Sequence, residues 1–209
     1  MVTPADFMIS QEFELVTEFL RANPDRTPKK FLLQEALDER KLIDLATQMV
    51  NGRRVRQPSF AQTVSDPAVS IVVGLRYGVH ANELMSVEAH HKMAMAAENV
   101  IGPLLEAYVA QQMGPQGWIW CSGDVVKAID FLKKNDDGIW IALQIKNRDN
   151  SENSSSARVR DGTDIKKWYR TKSRTGQTNW EKFPDKGTIG ILNEEGFISF
   201  IESVVERDL

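Results

Sequence analysis

The feature that most constrains the fold of this chain is a pair of apolar runs separated by a tight turn. Residues 118–132 read WIWCSGDVVKAIDFL, and residues 138–147 read GIWIALQIKN. Both runs are rich in β-branched and aromatic side chains, which favour strands, and the intervening NDDG is typical of a hairpin turn. The sequence therefore predicts two neighbouring antiparallel strands, and the rest of the chain has to pack around them.

The first half of the chain has the periodicity and the capping residues of helices. We predict a helical N-terminal portion over residues 1–80, packed on a core of residues 81–209. Separate helices are predicted at residues 10–23, 27–52, 66–78 and 90–114. Pro103 should kink or divide the last of these helices.

Beyond the hairpin, we expect a helix near residues 161–172, a short strand within 187–192 and a C-terminal helix at 195–206. Trp168 and Trp180 should pack in the core. Helices before and after a pair of strands predict an α/β protein with a central mixed sheet flanked by helices.

The net charge of −3 conceals a basic segment. Residues 146–186 hold eleven Lys or Arg against six Asp or Glu, a local charge of +5, so the rest of the chain carries −8. Neutralising phosphates is the main source of nucleic-acid affinity, so such a segment could bind a polyanion. On charge alone, a solvated surface explains it equally well.

Other classes of protein are disfavoured by composition. No apolar run reaches the roughly 18 residues that a membrane-spanning helix requires, and MVTPADFMIS has no signal-peptide pattern. We expect a cytoplasmic protein with no membrane partner. Cys121 is the single cysteine, so an internal disulfide is excluded, and without partners at ligand spacing it is not a zinc site.

Polar side chains stand at the ends of the two predicted strands. Asp130 lies near the end of the first, and Gln144 and Lys146 share a face of the second. If the hairpin closes at residues 135–138, Asp130 and Gln144 can face each other across the ladder. Their oxygens could hold Mg²⁺ against a phosphate while the lysine orients the attacking water. On spacing alone, a solvated Lys146 beside an unrelated Asp130 is a better explanation than an active site.

Further carboxylates could join this group. Glu98 and Glu106 lie two turns apart on roughly one face of the preceding helix, and either could face the sheet as a further metal ligand or as a base that acts from behind the ligands. Asp124, six residues before Asp130 on the same predicted strand face, is a rival for the metal-binding aspartate.

These residues resemble a known group of enzymes. Asp130 with Gln144-Ile145-Lys146 resembles the catalytic core of the PD-(D/E)XK nuclease superfamily. The string from AENVIGPLLEAY through QIKNRDNSENSSSARVRDGTDIKKWYR to TNW, within roughly residues 88–182, is similar to type II restriction endonucleases of the SinI and AvaII kind. The resemblance implies a restriction-endonuclease-like fold and Mg²⁺-dependent cleavage of double-stranded DNA at a short palindrome. For that group the palindrome is GGWCC, cut with 5′ extensions.

The resemblance also implies roles for individual residues. Asp130, Gln144 and Glu98 would hold the metal, and Lys146 would position the water. Gln144 departs from the acidic residue of the pattern, as Ile129 departs from its proline, and the loss of one charge leaves the number of metal ions open.

Candidate DNA contacts follow from polarity and charge in the basic segment. They are Asn147, Arg148, Asn150, Asn153, Arg158, Arg160, Lys166, Lys167 and Arg174. Arg158 and Arg160, two residues apart, could read guanines in the major groove or contact phosphates. Lys166, Lys167 and Arg174 are assigned to the sugar-phosphate backbone of DNA.

A palindrome implies a two-fold homodimer, in which each subunit cuts one strand. A cognate DNA methyltransferase would have to protect the host. Two other interpretations stay open: a structure-specific nuclease of the same superfamily, and a DNA-binding module without catalysis. The loop rich in Asn and Arg after the second strand disfavours the structure-specific nuclease, which needs less base readout. The absence of an acidic residue at Gln144 would indicate the non-catalytic module.

Overall fold

A computed structural model describes residues 2–31, 39–54, 66–150, 163–185, 187 and 189–205. Its α-helices are α1 (Pro4–Met8), α2 (Gln11–Ala22), α3 (Glu39–Gly52), α4 (Pro67–Tyr77), α5 (Leu84–Met113) and α6 (Glu194–Val205). Its strands are β1 (Ile119–Trp120), β2 (Phe131–Lys134), β3 (Trp140–Arg148) and β4 (Lys166–Thr171). Short 3-10 helices cover Pro24–Arg26, Lys29–Phe31, Gly114–Gln116 and Trp180–Lys182.

The four strands form one mixed sheet in the order β1, β2, β3, β4. β1 and β2 are antiparallel, and β2 and β3 form the predicted hairpin, with Phe131 opposite Leu143. β3 and β4 are parallel, with Gln144 opposite Lys167. The hairpin turn ends at Gly138, whose left-handed φ of 78° glycine adopts without a Cβ clash. The prediction of a mixed sheet flanked by helices is confirmed.

The prediction of one strand over residues 118–132 is wrong for the middle of this range. β1 ends at Trp120, and the chain returns to the sheet only at Phe131. In between, Gly123 has a φ of 81°, Asp124 of 55° and Ala128 of 58°. Left-handed residues cannot continue a strand, and SGD is a turn-forming sequence that marks the interruption.

Two predictions after the hairpin are also wrong. Most of the predicted helix near 161–172 is β4, while residues 161–162 lie outside the described residues. Parallel pairing with β3 buries Trp168 to 2% exposure, and this tertiary contact outweighs local helix propensity. The described residues of 187–192 contain no strand, since Gly190 there takes a φ of 90°.

The predicted helices of the first half are confirmed with shifted ends. Ser10 caps α2 and Asp66 caps α4, each accepting a backbone N–H with its side chain. α3 ends at Gly52 as predicted, although residues 32–38 before it lie outside the described residues. α5 runs through Pro103 without division. Among the helices described here, none has the length and apolarity to cross a bilayer.

The chain divides into two compact units, one of Met1–Val55 with Leu104–Leu209 and the other of Arg56–Pro103. In the first unit the N-terminal helices and the sheet share one hydrophobic cluster, which includes Phe13, Met49 and Leu132. Burying each such side chain contributes about 1.5–3 kcal/mol. α1 to α3 therefore pack on the sheet, whereas the domain boundary at residue 80 stays a prediction.

Candidate active site

Asp130 lies where the chain enters β2, and three hydrogen bonds fix it there. Its N–H donates to the carbonyl of Leu143 and its own carbonyl accepts the N–H of Cys121, both at 2.9 Å. Its Oδ2 accepts the N–H of Ile145 at 2.7 Å. The register of β2 and β3 makes Gln144 the next residue opposite Asp130. The structure thus brings these two residues together at the end of the hairpin.

Glu106, one of the two glutamates considered on the preceding helix, faces the same place from the end of α5. Its Oε2 accepts the Nε1–H of Trp120 at 3.0 Å. Burial raises the pKa of Glu106, and the negative charge of Asp130 raises it further, against the opposing effects of Trp120 and Lys146. Glu106 and Asp130 are therefore in electrostatic contact.

The charges of this group balance only while one of its carboxyls is protonated. Burial also raises the pKa of Asp130, although the Ile145 N–H and the ammonium of Lys146 oppose the shift. Burial and mutual repulsion raise the pKa of Glu106 to about 8, so at neutral pH Glu106 holds a proton and Lys146 balances Asp130. A bound cation would favour the ionised form of Glu106 and take the place of that proton.

Gln144 and Lys146 share one face of β3, as predicted. Gln144 is buried at 2% exposure, and Lys146 is half-buried. In the parallel pairing, Lys167 lies opposite Gln144, and Tyr169 lies opposite Lys146. Because paired residues point to the same side of a sheet, Lys167 is a neighbour of the candidate catalytic residues.

Asp124 lies on the loop between β1 and β2, so the expectation that it shares a strand face with Asp130 is wrong. It is exposed. Its negative charge nevertheless raises the pKa of both Glu106 and Asp130, which makes it a third carboxylate in the neighbourhood.

The end of α3 holds this loop through direct backbone contact. A Cβ on Gly52 would lie 2.4 Å from the nitrogen of Gly123, and a Cβ on Gly123 would lie 2.4 Å from the carbonyl oxygen of Gln48. The Nε2 of Gln48 donates to the carbonyl of Gly123 at 2.5 Å. Only glycine permits this approach, so the N-terminal helices position the loop that leads to Asp130.

Arg53, directly after α3, contacts the residue that holds Glu106. Its guanidinium pairs with Glu12 at 2.8 Å, donates to the carbonyl of Trp120 at 3.3 Å and lies 4.5 Å from the centre of the Phe7 ring. Trp120 in turn donates to Glu106. The sequence reading missed Arg53 and Trp120, because no short motif links residues so far apart in the chain.

Asn147, a predicted DNA contact, has its side chain engaged within the protein. Its Oδ1 accepts the Nε–H of Arg170 at 2.9 Å, and its carbonyl accepts the hydroxyl of Thr171 at 3.1 Å. Arg170 also pairs with Glu194 and lies 5.0 Å from the ring centre of Phe197. This network ties the end of β3 to β4 and α6, and a role of Asn147 on DNA stays a prediction.

The other predicted site residues are either exposed or outside the described residues. Exposed side chains are those of Arg148, Asn150, Lys166, Arg174 and, in the second unit, Glu98. Outside the described residues lie Asn153, Arg158 and Arg160. Their assigned roles stay predictions.

The donors at the end of the hairpin fit Mg²⁺. One oxygen of each carboxylate accepts an N–H, which leaves the other oxygen of Asp130 and of Glu106, and Gln144 lies opposite Asp130. Among the described residues no three His, Cys, Asp or Glu are arranged to hold a metal. Mg²⁺ is usually held by one or two carboxylates and keeps several waters, so two carboxylates and an amide suffice.

A four-stranded mixed sheet flanked by helices, with Asp130, Gln144 and Lys146 at its central hairpin, defines a restriction-endonuclease-like protein. The chain belongs to the SinI restriction endonuclease family, whose model matches residues 1–207. The resemblance is confirmed, and it extends to the N-terminal third.

Two relatives match almost the whole chain. It is 41% identical over 205 residues to the type II restriction enzyme Eco47I of Escherichia coli. It is 39% identical over 203 residues to the type II restriction enzyme SinI of Salmonella infantis. Each match covers 95% of this chain and 88% of the relative. The chain is an enzyme of the site-specific endonuclease class.

Proposed function

We propose that this protein hydrolyses phosphodiester bonds of double-stranded DNA at a short palindrome, expected to be GGWCC, as the nuclease of a restriction-modification system. Membership of the family supports the reaction class, and the resemblance to the SinI and AvaII kind supports the sequence. The observation that carries the chemistry is the convergence of Glu106, Asp130 and Lys146 at the end of the hairpin.

The residues of the chain have distinct tasks in this reaction. Water attacks phosphorus and loses a proton to solvent, the bond from phosphorus to one sugar oxygen breaks, and that oxygen leaves and takes up a proton from solvent. Negative charge builds up on the phosphate oxygens in the transition state. The ammonium of Lys146, beside both carboxylates, orients that water and offsets the charge. Glu106, Asp130 and Gln144 would hold Mg²⁺, which when bound supplies Lewis-acid activation of the phosphate and a bound water of lowered pKa.

A DNA-binding module without catalysis is the weaker interpretation. Gln144 lacks the acidic group of the usual pattern, but Glu106 provides a second carboxylate next to Asp130. Desolvating two carboxylates costs free energy, and both would repel a phosphate. A surface that only binds DNA has no use for such a pair, whereas a metal-dependent nuclease needs it.

Two partners complete the proposal. Two copies of the chain would act on the two strands of the palindrome, and the basic segment 146–186 would neutralise DNA phosphates. A cognate methyltransferase would modify the same palindrome in the host. It is a functional partner, for which no physical contact is required.

The experiment is digestion of unmethylated phage DNA by the purified protein, with Mg²⁺ or with EDTA, followed by sequencing of the fragment ends. We expect discrete fragments that end at GGWCC in Mg²⁺ alone, and resistance of DNA methylated at that palindrome. Discrete fragments that end at another palindrome would refute GGWCC as the recognition sequence but would support the proposed reaction. Intact DNA, or a smear without preferred ends, would refute the proposal.

A further inference from the structure

The second unit exposes one apolar face of α4. Ala68, Ile71, Val72 and Leu75 are spaced i, i+3, i+4, i+7, so they line one side of the helix. Ile71 is 60% exposed, Val72 59% and Leu75 84%. None of the residues of α4 is buried.

Ile71, at the edge of this face, borders the neighbouring helix, whereas Leu75 does not line the groove between the two helices. The opposite side of α4 contacts α5, where the hydroxyl of Ser70 donates to the carboxylate of Glu88 and Val73 is half-buried. A helix that is apolar on two opposite sides is normally covered on both. Among the described residues of the unit, 66–103, a helix contacts one of these sides of α4, and the other side is exposed.

α5 extends the exposed surface. Met85, Ala89 and Met93 are four residues apart, so they form a stripe along the helix, and Met85 is 82% exposed. Ile71, Met85 and Ala89 line one groove between the two helices. The two apolar stripes are therefore one continuous surface. Methionine adapts its shape to irregular partners, which suits such a surface to docking.

The charge of this region disfavours DNA as the partner. Residues 66–103 hold four Asp or Glu and two Lys or Arg, so the segment is acidic and would repel phosphates. The groove is lined by both Glu88 and Lys92. The groove therefore contains one charge of each sign and has no strong preference for a highly charged partner.

The size of the surface is close to what a stable dimer needs. Twenty residues of α5 are about 30 Å long, the eleven residues of α4 are about 16 Å long, and each helix is about 10 Å wide, so the two faces together project over roughly 450 Å². The accessible area of side chains that protrude from this projection is larger and approaches the roughly 800 Å² per partner of a standard interface.

We propose that two copies of this chain associate through this surface, packing α4 and α5 of each copy into a four-helix interface. The choice of a second copy as partner rests on the proposed function, because a palindrome requires two active sites related by a two-fold axis.

Paired variants test the surface by the mass of the particle in light scattering. Leu75→Glu and Ile9→Glu each place a carboxylate at an exposed apolar residue, 84% exposed in the first case and 87% in the second, so neither should disturb folding. We expect dimers for the wild type and Ile9→Glu, and half that mass for Leu75→Glu. Met85→Glu, on the other helix, should behave like Leu75→Glu. A Leu75→Glu protein that stays dimeric, or a monomeric wild type, would overturn the inference.

Cleavage of a plasmid with one site separates this inference from the proposed function. Leu75→Glu should linearise the plasmid at least ten-fold more slowly than Ile9→Glu. If Leu75→Glu dissociates a wild-type dimer, but the wild type itself cuts no DNA, the interface stands and the proposed function fails. If Leu75→Glu is dimeric and cuts normally, the interface fails and the function stands.

Discussion

Replacing Trp120 by Phe removes the N–H that holds Glu106 and keeps an aromatic ring at a position that is 8% exposed. A hydrogen bond to an ionised group contributes about 1.5–3 kcal/mol, which corresponds to a factor of about ten to a hundred. Outer hydrogen bonds to metal ligands affect metal affinity over the same range, about 10–100-fold. We therefore expect the Mg²⁺ concentration for half-maximal cleavage to rise by about 10–100-fold. Binding of the DNA site, measured in EDTA by gel shift, should be unchanged.

Trp118→Phe is the matched control. Trp118 is also buried, and its Nε1–H donates to a carboxylate, that of Asp185, at 2.9 Å. Asp185 belongs to a separate group, paired with Lys133 at 2.6 Å. The control should lower the free energy of unfolding without changing the Mg²⁺ requirement. If Trp120→Phe keeps the wild-type requirement, or if both variants shift it alike, Trp120 does not position a metal ligand.

Three further outcomes are expected. Lys146→Ala should lower the cleavage rate by about 10²–10³-fold and leave DNA binding intact in a filter-binding assay, whereas normal cutting would refute the assigned role. Arg160→Ala should reduce discrimination between cognate and one-base-altered sites by about 1–3 kcal/mol in competition binding; a uniform loss on all sequences would place Arg160 on a phosphate. Gly123→Ala should lower the free energy of unfolding in urea by more than about 2 kcal/mol, because the left-handed φ and the contact with Gln48 both penalise a Cβ. Gly176→Ala, with a φ of 68° and open space around it, should cost only about 1–2 kcal/mol, and equal losses would contradict the close contact.

The active-site hairpin could be predicted because its determinants are local. A turn of known length fixes the register, and the register sets Asp130 opposite Gln144. The choice between Glu98 and Glu106 could not be made this way. Both lie on one helical face, and only the packing of the end of α5 brings Glu106 to the hairpin.

The misread segments depend on distant partners. β4 exists because β3 offers it a parallel edge, a contact that the local sequence KKWYRT does not encode. The loop at residues 121–130 takes its shape from the end of α3, and Gly123 meets Gln48 across 75 residues of chain. Sequence patterns report local preferences, so structure made by such contacts is beyond their reach.

The glycine contact between α3 and this loop joins segments that are far apart in the chain, which bears on when it can form during folding. The hairpin of β2 and β3 closes over a few residues and can form early, whereas contacts between distant segments form late, after the entropy of closing a long loop has been overcome. The seating of Gly123 against Gln48 belongs to the late class. We therefore expect the hairpin, which sets Asp130 opposite Gln144, to form before this loop is seated against α3.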